Sequence, residues 1–201
     1  MNMSNNLQFF KTNGYLVKEN LIDRSLIRKI NKIVREVITK EKKKKHKVNG
    51  TQSYNNYHFV YNSNNSKNKE ILRLNNPQNR HKIFYQLSRN KKIISIAKKL
   101  LGGTVRFHLG KLNFKLPNKK KGSEIGWHQD WAFYPHTNDD LITVGIYLDD
   151  CYEKNGPLKI IKNSHKKKLY SHHNKENYFV GKIDTKKNKI GANNSVSITG
   201  T

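Results

Sequence analysis

At 201 residues the chain is long enough for one domain with a hydrophobic core. Apolar residues are 34% of the total and mean hydropathy is −0.89, but they cluster in periodic segments, which excludes a wholly disordered chain. The 40 Lys and Arg against 14 Asp and Glu leave a net charge of +26.

No apolar run is long enough to cross a bilayer, and the opening MNMSNNLQFF lacks the charged-then-apolar pattern of a signal peptide. A single cysteine, Cys151, excludes an internal disulfide framework and fits a reducing environment, so the expected location is the cytoplasm. A charge this positive attracts polyanions, which makes nucleic acid a partner to weigh. The excess is nearly all Lys, however, and Lys lacks the forked recognition of Arg. It is also spread along the chain among Asn and Ile, residues that share A/T-rich codons. A solvated surface is the simpler reading.

In chain order, LQFFKTNGYLVKENLID has a turn at Asn13 and Gly14 and a short β-prone run at Tyr15, Leu16 and Val17. Asp23 then reads as an N-cap. Leu26, Ile27, Ile30, Ile33, Val34, Val37 and Ile38 follow at spacings of three and four, which predicts a core-packing helix. The charge run KEKKKKHK, residues 40–47, frays that helix into a solvated loop. Residues 48–79 are rich in Asn and Ser, with aromatic islands at Tyr54, Tyr57, Phe59 and Tyr61, and read as irregular structure or a lid. A second helical region over residues 80–101 carries Ile83, Phe84 and Leu87, then Ile93, Ile94, Ala97, Leu100 and Leu101, and Gly102 and Gly103 stop it.

Beyond Gly103 the apolar period falls from 3.6 to about 2. TVRFHLGKLNFKLP reads as a strand with a bulge at Gly110, and LITVGIYLDD, residues 141–150, as a buried strand. GPLKIIKNSH reads as a strand entered through a turn at Asn155, Gly156 and Pro157, and NSVSITGT as the start of another. Helices first and short strands afterwards predict an α+β protein, with helices packed on a β-sandwich or barrel. There is no internal repeat. The expected organisation is one domain over 1–201, with 1–103 mainly helical and loop support and 104–201 the β-barrel core.

WHQDWAFYPH, residues 127–136, stands apart from this background. On an extended segment His128 and Asp130 point to one face while Gln129 points away. An imidazole nitrogen and a carboxylate oxygen on one face suit Fe(II), with coordination positions left for substrate chemistry. The aromatic neighbours alone favour a piece of core, and a bare H-x-D pair arises by chance in a chain this rich in His and Asp. The residues by themselves leave both readings open.

The order of motifs adds to this. WHQDWAFYP, then LITVGIYLDD, then NGPLKIIKNSHK resembles the phytanoyl-CoA dioxygenase family, in which W-H-Q-D precedes a strand ending in paired Asp, then N-G-P-L and S-H-K. Asn155, Gly156, Pro157 and Leu158 match N-G-P-L, and Asn163, Ser164, His165 and Lys166 stand where the family's P-G-S-H-K stretch is usual. KLNFKLP and FFKTNGYLVKENLID resemble the family's segments further upstream, so the likeness runs from about Phe9 onward.

The resemblance implies an Fe(II)- and 2-oxoglutarate-dependent oxygenase that takes a small-molecule substrate and O2. The implied fold is a double-stranded β-helix, a cupin-like jelly roll, with the N-terminal helices packed on it and its last strands missing. His128 and Asp130 are by resemblance the first two iron ligands. A carboxylate at 130, where related halogenases carry a small residue, points to hydroxylation. The third ligand, a distal His, and the Arg that binds the far carboxylate of 2-oxoglutarate are absent from the chain. Of the later histidines, His136 falls on a loop, His165 fits the S-H-K motif, and His172 and His173 sit in the polar stretch SHHNKENY, poor places for ligands. The expectation is an incomplete, inactive chain.

Asn113, with Lys111 or Lys115, is expected to touch 2-oxoglutarate, though a polar outer face on an ordinary strand reads equally well. Trp127 and Trp131 read as packing and pocket wall, Gln129 as orienting substrate or a loop, and Tyr134 and His136 as a substrate rim or exposed loop. The rival function is a noncatalytic β-barrel module that binds nucleic acid or another polyanion through its lysine surface.

Overall fold

The computed structural model describes residues 3–43, 51–54, 57–61, 71–115 and 125–200. The chain forms helices and small antiparallel sheets in two compact units. One unit holds residues 20–96 and 104–123, and the other holds 1–19, 97–103 and 124–201.

The unit of residues 20–96 and 104–123 is built on α2 (Arg24–Lys42), α3 (Lys82–Ser88) and a four-stranded antiparallel sheet. The apolar stripe read from the sequence is the one buried, at Ile30, Val34 and Val37. Asp23 sits at the N-cap position, but its side chain makes no capping bond. The sheet runs β1 (Thr51–Tyr54), β2 (Tyr57–Tyr61), β3 (Ile71–Asn75) and β4 (Lys111–Asn113), each antiparallel to the next. Phe59, Leu74 and Leu112 lie opposite one another across three strands. With Val37, Tyr61 and Ile71 they form the core, and Ile33, Ile38 and Phe114 pack around it. His81 caps α3, its Nδ1 accepting the Ile83 N–H at 3.1 Å.

Three expectations change here. The lid or irregular region over 48–79 contains three strands. The Asn and Ser between them hid the inward residues, Phe59 and Tyr61 two apart on β2, and Ile71 and Leu74 three apart on β3 where the register shifts. Of the strand expected over 104–117, only Lys111–Asn113 joins the sheet, and Leu116 and Pro117 lie outside the described residues, as do Lys44, Lys45, His46 and Lys47. Gly110 forms no bulge; its carbonyl accepts the Asn76 N–H at 2.8 Å just ahead of β4.

In the other unit, α1 (Met3–Asn13) is a helix where no helix was read. It ends at Gly14, φ +82°, whose N–H donates to Phe10 O. Tyr15, Leu16 and Val17 join no sheet among the described residues. His165 closes the end of α1, a ring N–H donating to Lys11 O at 3.1 Å. A Cβ on Gly14 would run into that ring, so Gly is required twice over, by space and by the left-handed backbone. Gly102, φ +77°, ends α4 (Lys91–Leu101) as read from the sequence.

The strand pair β5 (Leu158–Ile161) and β6 (Ser195–Ile198) forms as expected, in register from Leu158↔Ile198 to Ile161↔Ser195. Cys151 and Gly200 extend it with reciprocal bonds of 2.7 and 3.0 Å. The turn before β5 is a 3-10 turn at Glu153–Asn155 followed by Gly156, φ +79°. The Asn155 amide ties it down, donating to Asp150 O and accepting the Tyr152 N–H. Residues 141–150, expected as a buried strand, form no ladder among the described residues and leave Val144 and Tyr147 exposed. A buried strand needs a neighbour on its edge, and an apolar run does not provide one.

Candidate metal centre

His128 and Asp130 lie at the end of an extended segment that turns sharply. Gln129 has strand-like angles, φ −115° and ψ 126°, and a 3-10 turn follows at Asp130–Ala132. This backbone is anchored from below. Trp127 packs on Ile161, Ile183 and Ile190, and its carbonyl accepts the Ile183 N–H at 2.7 Å. The expectation that residues 128 and 130 face the same way holds: His128 Nε2 and Asp130 Oδ1 are 3.3 Å apart.

The imidazole is oriented by its other nitrogen, since Nδ1–H donates to Gly126 O at 2.8 Å. That leaves Nε2 as the atom presented next to the carboxylate, the arrangement metal-binding histidines use. Asp130 Oδ2 accepts the Thr143 hydroxyl, which holds the carboxylate from the far side. The two side chains keep 28% and 38% of their surface, enough access for a ligand from solution.

This donor set, one nitrogen and one oxygen with both partners braced, fits a divalent first-row metal such as iron as far as it goes. Among the described residues no group of three or more His, Cys, Asp or Glu side chains gathers around one point. The pair is therefore two donors of a site rather than a closed cage.

One wall of the pair is aromatic. Phe133 meets the His128 ring edge-on at 5.5 Å, and Phe179 meets Phe133 edge-on at 5.1 Å. Gly181, φ +65°, leaves room for this packing, because a Cβ there would lie 2.9 Å from Phe133 Cζ. Tyr134 tilts against Phe133 at 6.1 Å, and Trp131 Nε1 donates to Asn138 O at 3.2 Å on the exposed side. His136 Nδ1 bonds its neighbour's carbonyl, Pro135 O, at 2.9 Å.

Gln129 turns the other way, as its spacing requires. Its Oε1 accepts the Tyr170 N–H at 2.8 Å and its Nε2 donates to Lys168 O at 3.2 Å, so it orients a loop. The buried His172 lies beside it, and its Nε2 accepts the Gln129 N–H at 2.9 Å. Burial pushes the His172 pKa down, the Tyr170 carbonyl opposes this, and His128 and His173 add to the lowering. Phe133, Thr143, His172 and Phe179 were not expected at this site. Their roles depend on contacts between segments distant in the sequence, as in the Thr143 hydroxyl on Asp130 and the Phe179 ring on Phe133.

A family model described as phytanoyl-CoA dioxygenase matches residues 10–199. The chain belongs to this family. Membership in the phytanoyl-CoA dioxygenase family implies a cupin-like fold, with which the mixed helices and small antiparallel sheets agree. Among curated proteins, the chain is 42% identical over 127 residues to a probable alpha-ketoglutarate-dependent hypophosphite dioxygenase of Stutzerimonas stutzeri, covering 63% of this chain and 43% of that protein. It is 36% identical over 83 residues to an L-proline trans-4-hydroxylase of Streptomyces griseoviridis, covering 39% of this chain and 30% of that one. An ectoine dioxygenase of Streptomyces avermitilis is 34% identical over 89 residues, covering 42% and 29%. The chain thus spans less than half the length of the curated relatives it matches.

The expected 2-oxoglutarate residues of this family member, Lys111, Asn113 and Lys115, lie in the other unit on and beside β4 and are exposed. Asn113 stands opposite Arg73 and Lys111 opposite Asn75, on the sheet face away from the apolar core. Arg73 Nε and Asn75 Oδ1 are buried atoms that find no hydrogen-bond partner. Arg73 went unnoticed in the sequence because it sits within the stretch read as irregular.

Proposed function

We propose that this chain carries part of the active site of an Fe(II)- and 2-oxoglutarate-dependent oxygenase that hydroxylates a small organic or acyl substrate, on a double-stranded β-helix. The observation that carries the reading is the His128 Nε2 and Asp130 Oδ1 pair at 3.3 Å, with Nδ1 engaged by Gly126 O. Family membership and the names of the relatives support the same reaction class. Those names span hypophosphite, proline and ectoine, so the substrate class stays at small molecules.

When bound, iron with 2-oxoglutarate would supply the activation of O2 and the hydroxylating step. The protein's share is placement. His128 offers Nε2, Asp130 offers a carboxylate oxygen, and the Phe133 ring covers one side of the imidazole. Trp131 and Tyr134 form the rim that a substrate meets. Asn113, Lys111 and Lys115 are the residues of this chain read as contacting 2-oxoglutarate. With a third protein donor not found among the described residues, the pair binds iron weakly, and this chain alone turns over little or no substrate.

Calorimetric titration with Co(II) tests the site. Binding by the native protein that His128→Ala and Asp130→Ala both abolish is the expected result, and equal binding by all three overturns the reading. The rival, a noncatalytic module for nucleic acid, is favoured by the net charge of +26. Salt-dependent DNA binding without any metal binding would support it.

A further inference from the structure

His172 is 1% exposed, one of the most deeply buried side chains among the described residues, although it lies in the polar stretch SHHNKENY. Both of its nitrogens are committed. The Nδ1–H donates to Tyr170 O at 2.8 Å, and Nε2 accepts the Gln129 N–H at 2.9 Å. A ring in that tautomer has no lone pair left for a metal. Its faces are also occupied, stacked on Phe179 at 6.3 Å and meeting Phe133 edge-on at 6.1 Å.

The hydrogen bond reaches the one residue that separates the two metal donors. The Gln129 N–H belongs to the peptide plane that joins Gln129 to His128. Fixing that plane fixes the direction in which the His128 side chain leaves the backbone. The Gln129 amide is held too, by Tyr170 N–H and Lys168 O. Gln129 is thus fastened at three points to a segment more than thirty-five residues downstream, with separations of 43, 41 and 39.

We infer that His172 is a positioning residue for the metal pair: as a neutral acceptor it holds the Gln129 peptide so that His128 Nε2 and Asp130 Oδ1 converge. The inference rests on the proposed reading of that pair as metal donors. Hydrogen-bonding partners beyond the ligands set metal affinity by roughly 10–100-fold. A buried imidazole that served packing alone would not need its acceptor nitrogen.

The test uses the full chain and Co(II), followed by visible absorption with a competing chelator. His172→Phe keeps the ring volume and the aromatic contacts but removes the acceptor. His172→Gln places an amide oxygen near the position of Nε2. His172→Phe should bind Co(II) roughly 10–100-fold more weakly than the native protein, and His172→Gln should recover most of the loss. Native affinity in His172→Phe overturns the inference, as does a His172→Gln variant no better than His172→Phe. A native protein that binds no Co(II) at all removes the metal reading itself, and the inference with it.

A second measurement needs no variant and covers the case in which His172→Phe does not fold. In long-range 15N–1H spectra of the native protein, the His172 ring should hold the Nδ1–H tautomer, before and after metal is added. The Gln129 amide should also exchange slowly with solvent. A His172 signal that shows Nε2 taken over by Co(II), or a Gln129 amide that exchanges as fast as an open loop, overturns the positioning role.

Discussion

Tyr61 and Glu41 form a buried pair whose chemistry gives a clear pH signature. Glu41 is 2% exposed on the core side of α2, and the Tyr61 hydroxyl donates to its Oε1 at 2.6 Å. Burial, then the Glu41 hydrogen bond and charge, raise the phenol well above its ordinary 10.0. A raised folded-state value means the unfolded chain releases this proton first, so the stability it contributes is present below pH 10.0 and is lost as pH rises beyond it. Thermal unfolding between neutral and strongly alkaline pH should show a fall in Tm that is shallower in Tyr61→Phe. At neutral pH the same variant should lose about 1–3 kcal/mol, because a buried carboxylate loses a donor. Equal alkaline slopes in both proteins would remove the pair from the account. His128 and Asp130 were legible from sequence because their geometry is set within three residues. His172 was not, because what gives it a role is a hydrogen bond across 43 positions.

Elements were legible where periodicity was local and lost where composition diluted it. α2 declared itself because its apolar residues recur at helical spacing with few interruptions, and its buried apolar positions are among those named. β2 and β3 did not, because each is a short run set in Asn-rich chain, β3 without a regular alternation, and only the pairing Phe59↔Leu74 shows which residues turn inward. The segment 141–150 misled in the opposite direction, since an apolar composition announces burial but cannot name the strand that provides it. The sheet core makes this measurable. Leu74 is fully buried between Phe59 and Leu112 in register, whereas Leu158 at the start of β5 is 52% exposed. Leu74→Ala should cost about 2–5 kcal/mol in urea unfolding, the loss typical of a core leucine, and Leu158→Ala within about 0.5 kcal/mol of nothing. Similar costs at the two positions would mean that the sheet is not the core of its unit.

At the scale of the whole molecule, charge and site make separate predictions, and the separation decides between the two functions. A net charge of +26, carried mostly by Lys on exposed positions, must bind polyanions to some degree, because each phosphate contact releases a condensed counterion. That attraction is unspecific and steeply salt-dependent, with affinities of about 10⁻⁴ to 10⁻⁶ M at physiological salt. If the lysine surface is only solvated charge, random-sequence DNA should be retained at about 50 mM salt and lose at least about 100-fold in affinity by about 200 mM. The loss should follow the same slope in the native protein and in Asp130→Ala, since one exposed carboxylate among 54 charged Lys, Arg, Asp and Glu changes the field little. Metal should make no difference either, because two donors in one loop do not reshape a surface of lysines. A filter-binding series in salt, run with and without Co(II), checks all of this in one experiment. DNA binding that persists at high salt and discriminates between sequences would instead mark a built nucleic-acid site and favour the binding module. Binding that collapses with salt while Co(II) still titrates His128 and Asp130 leaves the charge as background to the metal chemistry.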